Sequence, residues 1–242
     1  MARQARFIVP DIALHVIQRG HNRNACFSHD TDRLAYLNNL SELLRKTECA
    51  LHAYCLMTNH IHLLLTPPSA EACAKLMRNL GQRYAQYFNR RYERTGALWE
   101  GRYRSCLVDS ATYVLACYRY IERNPVCAAM VSSPGAYRWS SFEGNSGGVA
   151  NKLLTPHVEY AALAADDGSR QRAYEQMLDV ADDPGFLTAI RDATNGGLAL
   201  VDAALKARLE AQSGRCLEHK KPGPPAGSER PALDTSSLEL GF

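Results

Sequence analysis

Two apolar segments, ALHAYCLM (50–57) and HIHLLLT (60–66), are separated by only two residues. Both read as β-strands, and Pro67-Pro68 stops the second. Thr58-Asn59 is a plausible tight connection, although only Asn59 suits a two-residue hairpin turn. A hairpin in the middle of the chain points to an antiparallel sheet. ALHVIQRG (13–20) alternates and ends in Gly, as a strand does, and GRYRSCLVD (101–109) reads as a fourth strand. Between them, TDRLAYLNNLSELLRKTE (31–48) sets Leu34, Leu37, Leu40 and Leu44 at helical spacing, with Asp30 or Thr31 as N-cap. A long helix is expected over about 70–92. Another is expected over 110–124, capped by Ser110 and ended by Pro125. Strand–helix–strand–strand–helix–strand–helix is an α+β order, an antiparallel sheet with helices packed on it.

The character changes after YRWSSFEGNSGG (137–148). Ala-rich, acidic, helical pieces follow at about 155–165, 169–181, 184–194 and 197–212. The division expected is a first domain over 1–148, a helical extension over 149–214 and a disordered Pro/Gly/Ser-rich tail over 215–242. No stretch approaches the roughly 18 apolar residues of a membrane span, and the N-terminus lacks a signal-peptide apolar region. A cytoplasmic protein with no membrane partner is the expectation. None of the eight cysteines forms a Cys-x-x-Cys pair, which argues against a zinc knuckle or a disulfide framework.

Charge is unevenly placed. Residues 1–155 carry 19 Lys+Arg against 11 Asp+Glu, while the remainder carries 9 against 14. Within 70–105 eight basic residues face three acidic ones, interleaved with Tyr84, Tyr87, Phe88, Tyr92, Trp99 and Tyr103. Arginine among aromatics suits a nucleic-acid surface, since guanidinium pairs with phosphate and rings stack on bases. A solvated amphipathic helix has the same composition.

His60 and His62 lie one residue apart inside the third strand. Residues i and i+2 of a strand share a face, about 6.6 Å apart at ~3.3 Å per residue. Two imidazoles so placed can converge on one metal ion through neutral nitrogen lone pairs. Ile61, Leu63 and Leu65 take the opposite face as core. Two ligands are too few, and the other histidines (His15, His21, His29, His52, His157 and His219) show no metal spacing. That weighs against a zinc hydrolase and leaves room for Mg²⁺ or Mn²⁺ completed by substrate phosphate.

In VLACYRYIERNPV (114–126), Val114, Cys117, Tyr118 and Ile121 form the apolar stripe of the helix. Tyr120 lies about 200° around from Tyr118 and off that stripe. Asn124 is one turn on from Tyr120, so both project from one face. Pro125 biases Asn124 away from the α region. A tyrosine hydroxyl can be a covalent nucleophile where a metal or arginine lowers the cost of making phenolate. The amide oxygen of Asn124 can serve as a hard ligand. Most off-core tyrosines are simply surface residues.

HIH followed some sixty residues later by YIERNPV resembles the single-tyrosine, His-hydrophobic-His transposases, an insertion-sequence family, and above all their REP-associated tyrosine transposase branch. The likeness extends to HVIQRGHNR (15–23), DTDRLAYL (30–37), LHAYCLMTNHIHLLLTP (51–67), MRNLGQRYAQYFNRRYERTGALWEGRYRS (77–105) and YRYIERNPVCAAMV…YRWSS (118–141). The resemblance implies a ferredoxin-like α+β fold. It implies a DNA strand transferase in which Tyr120 attacks single-stranded, hairpin-associated DNA to give a 5′-phosphotyrosine link and a free 3′-OH. His60, His62 and Asn124 would hold Mg²⁺ or Mn²⁺. Arg78, Arg83, Arg102 and Arg104 are the candidate phosphate contacts, Trp99 and Tyr103 the candidate stacking rings, with Arg19 and Arg23 of QRGHNR beside the site. The expected partner is single-stranded or hairpin DNA, with the protein on the nucleoid when bound. Whether it acts as a monomer or a homodimer is left open. Cys127 stands where an arginine is usual in the family. The competing readings are a domesticated, inactive DNA- or RNA-binding regulator of the same fold, and a metallohydrolase. The intact His60, His62, Tyr120 and Asn124 favour the enzyme.

Overall fold

The computed structural model describes residues 6–147, 149–180 and 183–217. The tail expected beyond 217, with His219, lies outside the described residues.

Strands β1 (Ala13–Arg19), β2 (Ala50–Leu56), β3 (His60–Thr66) and β4 (Arg104–Val108) alternate with helices α1 (Asp30–Thr47) and α2 (Ala70–Arg91). Their order across the sheet is β2-β3-β1-β4, and every neighbouring pair among them is antiparallel. This is the split βαββαβ arrangement expected of a ferredoxin-like fold. Helix α3 (Ala111–Cys127) follows β4, then the short helices α4 (Phe142–Asn145) and α5 (Val158–Ala161), then α6 (Asp167–Asp179) and α7 (Pro184–Gly196). A two-residue strand β5 (Ala199–Leu200) joins the far edge of β4 in parallel, and α8 (Ala203–Ser213) closes the described chain. The sheet is therefore mixed, where purely antiparallel pairing was expected. The piece expected as a helix over 197–212 opens as that strand.

Strand alternation gives the sheet two apolar faces. Leu14, Val16, Ile61, Leu63 and Leu65 are fully buried on one of them. Gln18 continues this row toward α2, where a Cβ built on Gly81 would lie 3.1 Å from its Nε2. Helices α1 and α2 pack together there. The other face carries α3 and α7, which pack on β2, β3 and β4. The histidine face is thus interior rather than open, because a second helical layer covers it.

Three helix boundaries differ from the expectation. Helix α1 takes His29 as its N-cap in place of Asp30 or Thr31, because the Asp32 carboxylate accepts from the backbone N–H groups of Ser28 and His29, both at 2.9 Å. Ser110 takes the N-cap position of α3 without a side-chain cap bond, at φ 77°. Helix α3 runs through Pro125 to Cys127, so Asn124 is helical. A proline two residues from a helix end forfeits a single backbone bond, and buried Pro125 and Ile121 hold the turn from within the core.

Candidate active site on the covered face of the sheet

The register of β1 on β3 opposes His15 to Leu64, Ile17 to His62 and Arg19 to His60. Opposed residues share a face, so His15, His60 and His62 meet on the side of α3 and α7. The His15 and His62 rings lie parallel at 5.2 Å between centroids, with 2.9 Å between His15 Nε2 and His62 Nδ1. The His60 and His62 rings meet edge to face at 4.9 Å. Tyr120 comes down from α3 edge-on to both His62 (5.5 Å, 87°) and His15 (5.6 Å, 89°). Asn124, one turn later, lies beside both His60 and the Tyr120 side chain and influences the titration of each. The strand pair and the helix residues therefore meet within one chain. Tyr120 is 7% exposed, since α7 lies over it. Tyr118, fully buried, packs on Tyr160 and Tyr174 in the apolar stripe.

Helix α7 contributes two residues that no motif announces. Arg191 lies close enough to Tyr120 for its charge to act on the phenol. Thr194 Oγ1 lies 2.9 Å from His15 Nδ1 and donates to the Ile190 carbonyl at 2.7 Å. Cys106 Sγ of β4 is 3.2 Å from the same hydroxyl. His15 was reachable from the sequence, because antiparallel pairing of β1 with the HIH strand puts one of its two faces beside the pair. Arg191 and Thr194 sit in IRDATNGG, which carries no recognisable spacing.

Electrostatically the site is dry and cationic. Burial lowers His15 to about 3 and, helped by the neighbouring Arg19 charge, His60 to about 4. Burial takes His62 well down, with His60, His15 and Arg19 adding to it. All three imidazoles are neutral at pH 7. Burial raises the Tyr120 phenol, and Arg191 beside it opposes the rise. His62 Nε2 is buried with no hydrogen-bond partner. A buried lone pair with no donor suits a metal ion better than a structural role. With His60 and the Asn124 amide alongside, the residues fit a divalent cation that completes its shell with water or substrate oxygen. Among the described residues no group of three or more His, Cys, Asp or Glu side chains is placed to hold a metal ion, so a third ligand here has to be of another kind, such as the Asn124 amide.

Glu122, two residues past Tyr120, points the other way and is fully buried. Its carboxyl oxygens accept from Ser141 Oγ (2.5 Å), Asn145 Nδ2 (2.8 Å) and Tyr174 Oη (2.6 Å). Burial nevertheless lifts it to about 7.

The eight basic and aromatic candidates divide. Arg19 is half-buried beside the histidines and lines a small cleft with Arg102, Arg104 and Asn195. Arg104 Nη1 donates to Asn195 Oδ1 at 2.5 Å. Arg23 is exposed in the turn after β1. Arg78, Arg83 and Trp99 belong to the α2 side of the sheet, away from the histidines. Arg78 is exposed there, while Arg83 is bridged to Glu42 at 3.0 Å. Trp99 donates its indole N–H to the Gly81 carbonyl at 2.9 Å and packs on Tyr84. Tyr103 corrects the expectation of a stacking ring. It is 8% exposed, and the Arg6 guanidinium covers one face 3.6 Å from the ring centre. Just before β4, Tyr103 turns inward while Arg102 and Arg104 on either side of it face solvent.

Comparison with known proteins bears on the fold and on residues 8–124. The family described as IS200-like transposases matches residues 8–124. Among solved structures, a REP-associated tyrosine transposase bound to a REP hairpin aligns at a TM-score of 0.50 and 15% identity, over 65% of this chain and 93% of that one. At that identity the likeness is one of fold. A Deinococcus radiodurans R1 protein whose assignment as a transposase is provisional aligns at 0.35 and 20%, over 47% and 91%. The tRNA(His) guanylyltransferase of Saccharomyces cerevisiae aligns at 0.38 and 10%, over 72% and 82%. Neither of these two scores carries weight. No curated protein matches the chain. Residues 8–124, just under half of the chain, are similar to the IS200-like transposase family.

Proposed function

We propose that the protein cuts and rejoins single-stranded DNA beside hairpins, with Tyr120 as the nucleophile. The observation that carries this reading is the edge-on approach of Tyr120 to His62 and His15, with Asn124 one turn further along the same helix. In the cut, Tyr120 Oη bonds to phosphorus and the bond from phosphorus to the 3′ oxygen breaks. The phenolic proton leaves and the departing 3′ oxygen gains one, so a 5′-phosphotyrosine and a free 3′-OH result with no net proton change. Rejoining is the reverse, with a 3′-OH as attacker.

The chain's own groups divide the work. The charge of Arg191 beside Tyr120 favours the phenolate that attack requires. The Glu122 cluster fixes the roll of α3, and with it the direction of Tyr120. Arg19, Arg102 and Arg104 supply positive charge for the DNA backbone along the cleft they line. His60, His62 and Asn124 would hold Mg²⁺ or Mn²⁺, which when bound polarises the scissile phosphate. A hairpin as substrate draws support from the REP hairpin bound by the structurally similar transposase.

The test is incubation of the full chain with single-stranded hairpin DNA and Mn²⁺, resolved on a denaturing gel. A covalent protein–DNA adduct is expected from the native protein and from Tyr118→Phe, and none from Tyr120→Phe. An adduct that survives Tyr120→Phe overturns the assignment of the nucleophile. Binding of hairpins without any adduct from the native protein supports the inactive regulator instead.

A further inference from the structure

We infer that His15 and Thr194 form a positioning relay that fixes the proton of His62 on Nδ1 and leaves Nε2 as a free lone pair. The inference rests on the reading of His60 and His62 as metal ligands only for the purpose it gives the relay. The relay itself follows from hydrogen-bond polarity.

The polarity is set at one end by a group that cannot donate. The Thr194 hydroxyl gives its single proton to the Ile190 carbonyl at 2.7 Å. Its oxygen must therefore accept from the other polar neighbours, Cys106 Sγ–H at 3.2 Å and His15 Nδ1–H at 2.9 Å. A neutral His15 with its proton on Nδ1 presents a lone pair at Nε2. That lone pair, 2.9 Å from His62 Nδ1, requires a proton there. His62 Nε2 is then a bare acceptor, and it is the buried ring nitrogen that has no partner. Reversing any bond in the series sets two donors or two lone pairs against each other.

His60 reaches the same state by a separate route. Asn59 Nδ2 donates to the Arg23 carbonyl at 3.0 Å, which turns its Oδ1 toward His60 Nδ1 at 2.6 Å. A carbonyl oxygen only accepts, so His60 also carries its proton on Nδ1. Two relays, each ending on a backbone carbonyl, thus give the two strand histidines the same tautomer. One starts in the turn after β1 and the other on α7, far along the chain. Partners behind a metal-binding imidazole typically matter about 10–100-fold in affinity.

Long-range ¹H–¹⁵N correlation spectra of the metal-free, ¹⁵N-labelled full chain at pH 7 test this directly. The expected spectrum shows His15, His60 and His62 all protonated at Nδ1. A proton on His62 Nε2 in the native protein overturns the relay. Thr194→Val keeps the shape and removes the acceptor, so the His62 proton should shift toward Nε2 while His60 stays unchanged. Mn²⁺ affinity, read by electron paramagnetic resonance, should fall about 10–100-fold. Thr194→Ser should restore both readings. Equal tautomers and equal Mn²⁺ affinity in the Val and Ser variants overturn the relay, and a melting curve on each variant separates this result from misfolding. A native protein that shows the expected tautomers but binds no Mn²⁺ upholds the relay and refutes the metal reading.

Discussion

Replacing Glu122 by glutamine removes a titrating group from the helix that carries Tyr120 and keeps its shape. Glu122 is fully buried, and its oxygens accept from Ser141, Asn145 and Tyr174. Three donors favour the carboxylate, yet desolvation outweighs them and lifts the group from 4.5 to about 7. An acid raised on folding binds more protons folded than unfolded between these values. Its contribution to stability is therefore complete below pH 4.5 and is lost as pH rises through about 7. Over the whole window the loss is about 3 kcal/mol at ~1.36 kcal/mol per pK unit, and between about pH 5 and pH 8 it is about 2.5 kcal/mol. The amide of the variant has no proton to exchange in this range. Urea unfolding of both proteins at about pH 5 and pH 8 gives a difference of differences, in which titration of the histidines cancels. Glu122→Gln should gain about 2.5 kcal/mol relative to the native protein on going from about pH 5 to pH 8. A gap that does not change with pH would show that the three donors fully offset burial, and the reasoning would fail.

The buried histidines act with the opposite sign. His15 at about 3, and His52 and His60 at about 4, contribute stability that is present above their unfolded value of 6.5 and lost as pH falls. With His62 also taken well down, unfolding near pH 5 should take up about four protons at these histidines and release nearly one at Glu122, a net of about three and a slope of about 4 kcal/mol per pH unit, which denaturation curves at about pH 4.5 to 6 measure. Gly20→Ala would set a Cβ 2.2 Å from the Asn24 carbonyl oxygen, so the turn that offers the Arg23 carbonyl to Asn59 must move. A loss of about 1–3 kcal/mol is expected on thermal melting, with weaker Mn²⁺ binding. Unchanged values for both would show that the turn is soft.

The sequence makes one half of the site plain and hides the other. Alternation along HIHLLLT is enough to place His60 and His62 on one face, because a strand has only two. Helical spacing is enough to put Asn124 a turn beyond Tyr120. Neither rule gives register, and register brings His15 against His62. Tyr120 reads as a surface residue because its own helix buries other positions. What covers it is α7, whose IRDATNGG segment has no periodicity tied to the site. Pro125 shows the limit of a local rule: its lost hydrogen bond falls where the helix was about to end. Tyr103 shows the limit of composition, since an aromatic among arginines packs inward or outward according to its tertiary neighbours, here Arg6.

Strand β5 is only two residues long, yet the segment around it takes the backbone N–H of Leu107 onto the Leu198 carbonyl and that of Asp109 onto the Leu200 carbonyl. Without it, β4 would present a row of free donors and acceptors, the kind of edge that pairs with a second chain. The family match ends at residue 124, far short of this strand. A fragment cut at that border would lose Arg191 and Thr194, and it would also gain a sticky margin. Such a fragment should self-associate through β4, and its oligomeric state would then reflect the cut rather than the protein.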